Sequence, residues 1–144
     1  ARCADRSAGT SRSSKSTAEA RRLVKGRTYS LDEIVSNLGN IAAFVAALSR
    51  NDLELLGRSI DDRLVEPLRA RLIPGFGAVK QAALDAGGLG CSIAGSGPSV
   101  FAFASGMQAA QVIGAAMQAA FRSSAGLDSD LFAGKVGIEG ARVV

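Results

Sequence analysis

Apolar residues recur at helical spacing through much of the chain. Between Leu31 and Leu48 they stand every three or four positions, which predicts a long helix over about residues 31–49. Ser30 precedes this helix and Glu33 lies three positions further on, the arrangement of a capping box. Similar patterns predict four more helices, over about residues 17–25, 52–60, 76–86 and 107–120.

Short apolar runs predict strands in the second half of the chain. Two runs, 91–94 and 99–104, flank a Gly-Ser-Gly-Pro cluster, and a last strand is expected over 135–139 and 141–144, either continuous or broken at Gly140. The resulting order of helix, strand, turn, strand, helix and strand matches a ferredoxin-like sandwich whose first strand is missing or lies upstream. We therefore predict an α+β fold, with helices on one face of an antiparallel sheet and extra helices N-terminal to it.

The first fifteen residues differ in composition from the rest. They contain almost no aliphatic side chains and show no periodicity, so we expect residues 1–15 to form a polar tail without regular structure and residues 16–144 to form the folded domain. Four basic residues and one acidic residue fall in this tail, which accounts for most of the net charge of +4. Because the folded part has no basic stripe, nucleic acid is not an expected partner.

The composition limits the chemistry that this chain can perform. With 47% hydrophobic and 21% charged residues, the 144 residues suit one globular domain. Histidine is absent, which excludes imidazole bases and His-dependent triads, and the two cysteines lie 88 positions apart, so no metal site is predicted. No unbroken apolar run approaches the roughly 20 residues of a membrane span, so we expect a cytoplasmic protein that makes no membrane contact.

Two local features are candidates for binding a phosphate or another anion. Gly95, Ser96 and Gly97, followed by a proline, predict a hairpin turn, and their small side chains would also let a phosphate approach the backbone closely. Thr17 stands at the start of the first helix, where unpaired amides can bind an anion. A plain turn and a plain helix start are the alternatives.

A third feature is the segment DRLVEPLRARLIPGF, residues 62–76, which combines two prolines with several ionic side chains. Such a cluster can be a solvated turn, whose surface ion pairs contribute little to stability. Prolines also stiffen the backbone, and a guanidinium on a stiff segment suits two-point binding of a carboxylate. The residues alone leave both interpretations open. The ionic residues concerned are Arg63, Glu66, Arg69 and Arg71.

Four segments occur in an order that resembles a known family. They are STAEAR, DRLVEPLRARLIPGF, VKQAALDAGGLGCSIAGSGPSVFAFA and the terminal GARVV. Together, over about residues 16–144, they are similar to the C-terminal half of homoserine kinases, which belong to the GHMP superfamily of small-molecule kinases. The segment EPLRARLIPGF is the most specific of these, because glycine loops like GSGPS occur in other GHMP kinases as well.

The resemblance implies a two-domain enzyme that phosphorylates the side-chain hydroxyl of L-homoserine with ATP and Mg²⁺, on the way to threonine. It implies that Arg21 and Arg69 contact the substrate and that Thr17 lies near the transferred phosphate. The loop Gly95–Gly97 is implied to pack beside the nucleotide phosphates. The family's N-terminal half, with its phosphate loop, has no counterpart in this sequence. We therefore assign no catalytic residue and expect the chain to be inactive alone, with the missing half as its protein partner. A homodimer is an open alternative for its own assembly.

Two other functions are compatible with the residues. A stand-alone regulatory or assembly module could bind an amino acid through Arg69 without any nucleotide. Nucleic-acid binding through the basic tail of residues 1–15 is a weaker alternative, since only that segment carries the charge.

Overall fold

The structure, a computed structural model, describes residues 2–5 and 17–136, with six α-helices and four strands among them. The strands are short, at four residues each, and the second helix is the longest, at twenty. A 3₁₀ turn, Ala70–Leu72, follows the fourth helix directly. In chain order the elements are β1 (Arg2–Asp5), α1 (Thr17–Lys25), α2 (Leu31–Arg50), α3 (Leu53–Ser59), α4 (Glu66–Arg69), α5 (Phe76–Asp85), β2 (Gly90–Ile93), β3 (Val100–Phe103), α6 (Met107–Ala125) and β4 (Ser129–Phe132).

Local capping signals determine where α2 and α3 begin and end. The Ser30 hydroxyl accepts from the Glu33 amide, and the Glu33 carboxylate accepts from the Ser30 amide, which completes the predicted capping box. Asn51 ends α2 in the left-handed region, with φ of 53°. Asp52 then caps α3 by accepting from the Leu55 amide at 2.9 Å. The predicted helices in this half of the chain are therefore confirmed.

The four strands form one antiparallel sheet in the order β2-β3-β1-β4, which is the ferredoxin-like order. The first strand, expected to be missing or to lie upstream, is present upstream of the helices, since Arg2 pairs with both Phe101 and Phe132. It lies in the segment expected to lack regular structure, and that expectation is wrong for residues 2–5. A strand between β3 and β4 pairs with them through backbone hydrogen bonds, which do not require apolar side chains. A polar segment can therefore take this place. Residues 6–16 lie outside the described residues.

The last strand also differs from the prediction. Helix α6 continues to Ala125, five residues beyond the predicted end, and stops at Gly126, which has φ of 65°. The chain then enters β4 at Ser129, so the strand begins earlier than the predicted 135–139. Residues 135–136 form no strand, and residues 137–144 lie outside the described part of the chain.

The hydrophobic core lies between one face of the sheet and helices α5 and α6. Val100 and Ala102 of β3 face this core, whereas Phe101 and Phe103 alternate with them and lie on the other face of the sheet. Phe44 of α2 reaches that second face, with its ring centroid 6.0 Å from that of Phe103. The largest fully buried side chains are Val79, Cys91, Val100, Ile113, Met117 and Phe121.

Helix α2 turns most of its apolar residues toward solvent. By length and composition this twenty-residue helix could cross a membrane, with a mean hydropathy of 1.3 and only 6% of the relevant window buried. The expectation that no segment reaches such a length rested on unbroken apolar runs, whereas Asp32 and Glu33 interrupt this one near its start. Helices of soluble proteins meet the same two criteria, so they do not establish a membrane span.

A glycine pair provides a test of how closely α3 approaches the sheet. A Cβ atom at Gly57 would lie 2.2 Å from the backbone oxygen of Leu89, so α3 would have to move away from β2. We expect Gly57→Ala to lower the free energy of unfolding by about 1–3 kcal/mol, a typical overpacking cost. Gly39, in the exposed middle of α2, has no atom within 4 Å of such a Cβ. There the same substitution should raise stability by about 0.5–1 kcal/mol, the helix preference of alanine. Urea unfolding of both variants measures the difference, and equal effects would contradict the close contact.

The buried Cys91 thiol should be unreactive in the folded protein. Burial raises the pKa of Cys91 to about 12, so the thiolate that reacts with alkylating agents is scarce at pH 8. In a Cys3→Ser background, we expect iodoacetamide to modify Cys91 at least tenfold more slowly in buffer than in urea. Because the folded pKa lies above the unfolded value, the protonated thiol stabilises the fold fully below about pH 9, and this contribution is lost as the pH rises toward 12. Rapid labelling of folded protein at pH 8 would be inconsistent with this burial.

Candidate functional site

Arg69 lies at the end of α4 and its guanidinium reaches the glycine turn between β2 and β3. Its Nη1 donates a hydrogen bond of 2.5 Å to the carbonyl oxygen of Gly95. Its Nε is buried and has no hydrogen-bond partner among the described residues. A buried donor without a partner is costly, so the guanidinium is suited to receive a further acceptor group.

Glu66, at the start of α4, fixes this short helix to two other elements. One carboxylate oxygen accepts from Lys80 Nζ of α5, and the other accepts from Ser92 Oγ of β2 at 2.6 Å. The side chains of Glu66 and Lys80 are only 11% and 25% exposed. A four-residue helix has little stability of its own, so these contacts set the position from which Arg69 extends.

Asp62 holds the other end of the same segment. Its carboxylate accepts from the backbone amides that lead into α4, at 3.0, 3.0 and 3.1 Å, and from the side-chain amide of Asn37 at 3.2 Å. Asn37 in turn accepts from the Arg63 amide, and Asn40 donates to the Asp61 carbonyl at 2.7 Å. Two polar side chains of α2 therefore anchor the loop before α4.

Three residues that hold this segment in place were not predicted from the sequence: Asp62, Asn37 and Asn40. An aspartate a few residues before a Glu-Pro pair is a signal for a capped helix start, and it could have identified Asp62. The two asparagines carry no such signal, because their partners lie more than twenty residues away.

The turn between β2 and β3 is the predicted glycine turn. Gly95 and Gly97 both adopt left-handed conformations, with φ of 62° and 82°, and the Ala94 amide donates to the Ser99 carbonyl at 2.8 Å. A Cβ atom at Gly97 would lie 2.8 Å from Ile73 Cδ1, so a larger residue here would also have to displace the Ile73 side chain. Gly95 has open space on the corresponding side. The turn therefore presents a bare backbone beside the Arg69 guanidinium.

Helix α1, which carries the remaining predicted residues, packs against α4. Thr17 is its first residue, Arg21 is exposed on it, and the helix packs against α4, with Ala20 buried. The structure thus joins Arg69 directly to Gly95 and places Arg21 on a helix that contacts the Arg69 helix. The Thr17 side chain lies outside what the structure describes.

The charged segment of residues 62–76 divides into two classes of side chain. Glu66 and Arg69 are built into the fold by the contacts above. Arg63 forms a pair with Asp61 in which both side chains are about half exposed, and Arg71 is exposed. The solvated-turn interpretation therefore holds for two residues and fails for the other two.

Two cavities adjoin these elements without including the predicted binding residues. One, of about 330 Å³, lies between α2 and the second face of the sheet and is bordered by Asp62, Ser92 and three phenylalanines. Another, of about 510 Å³, lies along β3 and extends to Phe132 and Val136. The guanidinium of Arg69 and the glycine turn instead form a more open surface.

The chemistry available at this surface is anion binding. A guanidinium with a free buried donor and an unobstructed glycine backbone suit a carboxylate or a phosphate. Within residues 2–5 and 17–136, no three or more Asp, Glu, His and Cys residues cluster to hold a metal ion. The described residues therefore do not fit a Mg²⁺ site.

Breaking the Glu66 bridge should destabilise the fold, in contrast to breaking a surface pair. Glu66→Ala leaves the half-buried Lys80 ammonium without its partner and removes the bond from Ser92, so we expect a loss of about 1.5–3 kcal/mol. Glu54→Ala removes a highly exposed pair with Arg58 and should change the free energy of unfolding by less than about 0.5 kcal/mol. Urea denaturation distinguishes the two, and similar small changes for both would refute the bridging role of Glu66.

Comparison with known proteins identifies relatives over most of this chain. The family model described as GHMP kinases C terminal matches residues 44–123. The homoserine kinase of Chlorobaculum tepidum is 51% identical over 124 residues, covering 85% of this chain and 38% of that protein. The homoserine kinase of Chloroherpeton thalassium is 49% identical over 128 residues, covering 89% of this chain and 40% of that protein.

A solved structure agrees with these sequence relatives. The crystal structure of homoserine kinase from Cytophaga hutchinsonii superposes with a TM-score of 0.80 at 47% identity, covering 84% of this chain and 38% of that one. The predicted resemblance and the α+β fold class are thereby confirmed. This chain spans about two fifths of the length of these relatives. It belongs to the GHMP kinases, a family of phosphate-transferring enzymes, and corresponds to the C-terminal domain of its homoserine kinase relatives.

Proposed function

We propose that this chain supplies the C-terminal, substrate-binding part of a homoserine kinase, which transfers a phosphoryl group from ATP to the side-chain hydroxyl of L-homoserine. The observation that carries the proposal is the Arg69 guanidinium, bound to the Gly95 carbonyl while its buried Nε remains free among the described residues. The relatives are homoserine kinases, which supplies the substrate class. Threonine biosynthesis in the cytoplasm is the corresponding setting.

Arg69 is proposed to bind the α-carboxylate of L-homoserine. Charge-assisted hydrogen bonds between a guanidinium and a carboxylate are strong and directional, and one anchored nitrogen leaves the others to face the ligand. Arg21 would provide a second cation from α1, the helix that packs on α4. Fixing the carboxylate at this point holds the distant hydroxyl in one orientation, and phosphoryl transfer depends mainly on such positioning.

The turn of Gly95, Ser96 and Gly97 is proposed to lie beside the phosphates of ATP. The open side of Gly95 permits close approach of an anion to the backbone. Thr17, at the start of α1, would lie near the transferred phosphate. The proposal assigns the main phosphate loop and the Mg²⁺ ligands to the part of homoserine kinases that this chain does not match, so the chain is expected to be inactive alone.

A chimeric enzyme tests this function. The segment of Chlorobaculum tepidum homoserine kinase that this chain matches would be replaced by this chain, and ATP-dependent phosphorylation of L-homoserine measured. We expect an active chimera in which Arg69→Ala loses a charged hydrogen bond of about 1.5–3 kcal/mol. That loss corresponds to a rise in KM for homoserine of about 10- to 150-fold.

Arg71→Ala is the matched control, since Arg71 lies on the same segment but is exposed. We expect this variant to keep KM within twofold of the parent chimera. A folded chimera without activity, or equal effects of the two substitutions, would overturn the proposal. If this chain binds homoserine with the same affinity with and without ATP, and the chimera is inactive, the chain would instead be an amino-acid-binding module.

A further inference from the structure

Helix α2 exposes a continuous stripe of large apolar side chains. Their exposed fractions range from 39% for Ile34 to 74% for Leu31, so no part of the described chain buries them fully. They recur every three or four residues over almost the whole helix, so they lie in one row along it. Contiguous apolar surface of this kind marks an interaction site on a protein. The apolar stripe consists of Leu31, Ile34, Val35, Leu38, Ile41, Val45 and Leu48.

The opposite side of α2 is bound to the domain, which prevents the stripe from turning inward. Asn37 and Asn40 hold the loop of residues 61–63 by the hydrogen bonds described above. Phe44 packs against Phe103 on the sheet, and Ala47 is buried. Rotating the helix to bury the stripe would break all of these contacts. The helix therefore keeps the face of Asn37, Asn40, Phe44 and Ala47 against the domain and its apolar stripe exposed, in this chain by itself.

The length of the relatives indicates what covers the stripe. This chain matches only 38–40% of each homoserine kinase, so about three fifths of those proteins have no counterpart here. The loop held by Asn37 and Asn40 leads directly into α4 and Arg69. A partner seated on the other side of α2 would thus be linked through one helix to the candidate site.

We propose that the apolar stripe of α2 is the surface on which the remaining part of a homoserine kinase docks. This inference rests on the proposed function. The charges of the helix argue against a lipid surface as the occupant, because such helices carry Lys and Arg along their polar face. Helix α2 carries a single basic side chain, Arg50 at its last residue, and the face that holds Asn37 and Asn40 is bound to protein.

Cysteine accessibility tests the docking surface directly. Leu38→Cys would be introduced in a Cys3→Ser background, both in this chain alone and in the chimera with Chlorobaculum tepidum homoserine kinase. Maleimide labelling would be followed peptide by peptide with mass spectrometry. We expect rapid labelling of the isolated chain and at least tenfold slower labelling of the chimera. Val112→Cys, on α6, is the matched control, because its parent side chain is 57% exposed and that of Leu38 is 61% exposed. It should react equally fast in both proteins.

Several outcomes would overturn this inference. They are equal labelling of Leu38→Cys in both proteins, equal protection of both sites in the chimera, and slow labelling of the isolated chain. In the last case, a dimer dissociated by Leu38→Asp with Val45→Asp would assign the stripe to a second copy, and binding to lipid vesicles would assign it to a membrane. The readout is separate from activity. If Leu38→Cys is protected in a chimera that lacks Arg69-dependent kinase activity, the docking surface is supported and the proposed function is refuted. If the chimera is active but Leu38→Cys is not protected, the function is supported and the docking surface is refuted.

Discussion

The candidate site depends on the carboxylate of Glu66. It joins α4 to α5 through Lys80 and to β2 through Ser92, and it does so from a largely buried position. A helix of four residues cannot hold itself in place. The Asp62 carboxylate also binds the backbone amides that lead into α4. These contacts hold α4 in place, so that the Arg69 guanidinium can donate a hydrogen bond to the Gly95 carbonyl. The proposed substrate contact is thus positioned by acidic residues that need not touch the substrate.

The parts of the fold that depend on local signals were predictable from the sequence. Ser30 and Glu33 define the start of α2, and the glycine pair in the turn after β2 requires positive φ, so both features could be placed by inspection. Strand β1 could not, because Arg2–Asp5 has no apolar alternation and its partners lie about a hundred residues away. The position of β4 was missed for a similar reason, since pairing with β1 rather than apolar content determines it.

The candidate site shows the same division between local and distant information. Arg69 and the glycine turn were candidates on their residues alone, the resemblance to homoserine kinases implied their roles, and the structure adds the hydrogen bond that joins them. Whether Glu66 was a solvated charge or a buried bridge could not be read from the residues, because its partners Lys80 and Ser92 lie in other elements. The outward orientation of the α2 stripe was equally hidden. Its periodicity indicates an amphipathic helix. It does not reveal that the face turned toward the domain is the one with Asn37 and Asn40, which bind the loop of residues 61–63.

The place of β1 in the sheet has a consequence for how this domain folds. Arg2 pairs on one side with Phe101 and on the other with Phe132, so β1 separates β3 from β4. Loops spanning most of the chain must close before either pairing forms, and long-range pairing of this kind slows folding. During synthesis, the helices between Thr17 and Asp85 can form early, but the sheet can be completed only after Phe132 has left the ribosome. Although the chain is mostly helical, its folding rate should therefore be set by the pairing of its few strands.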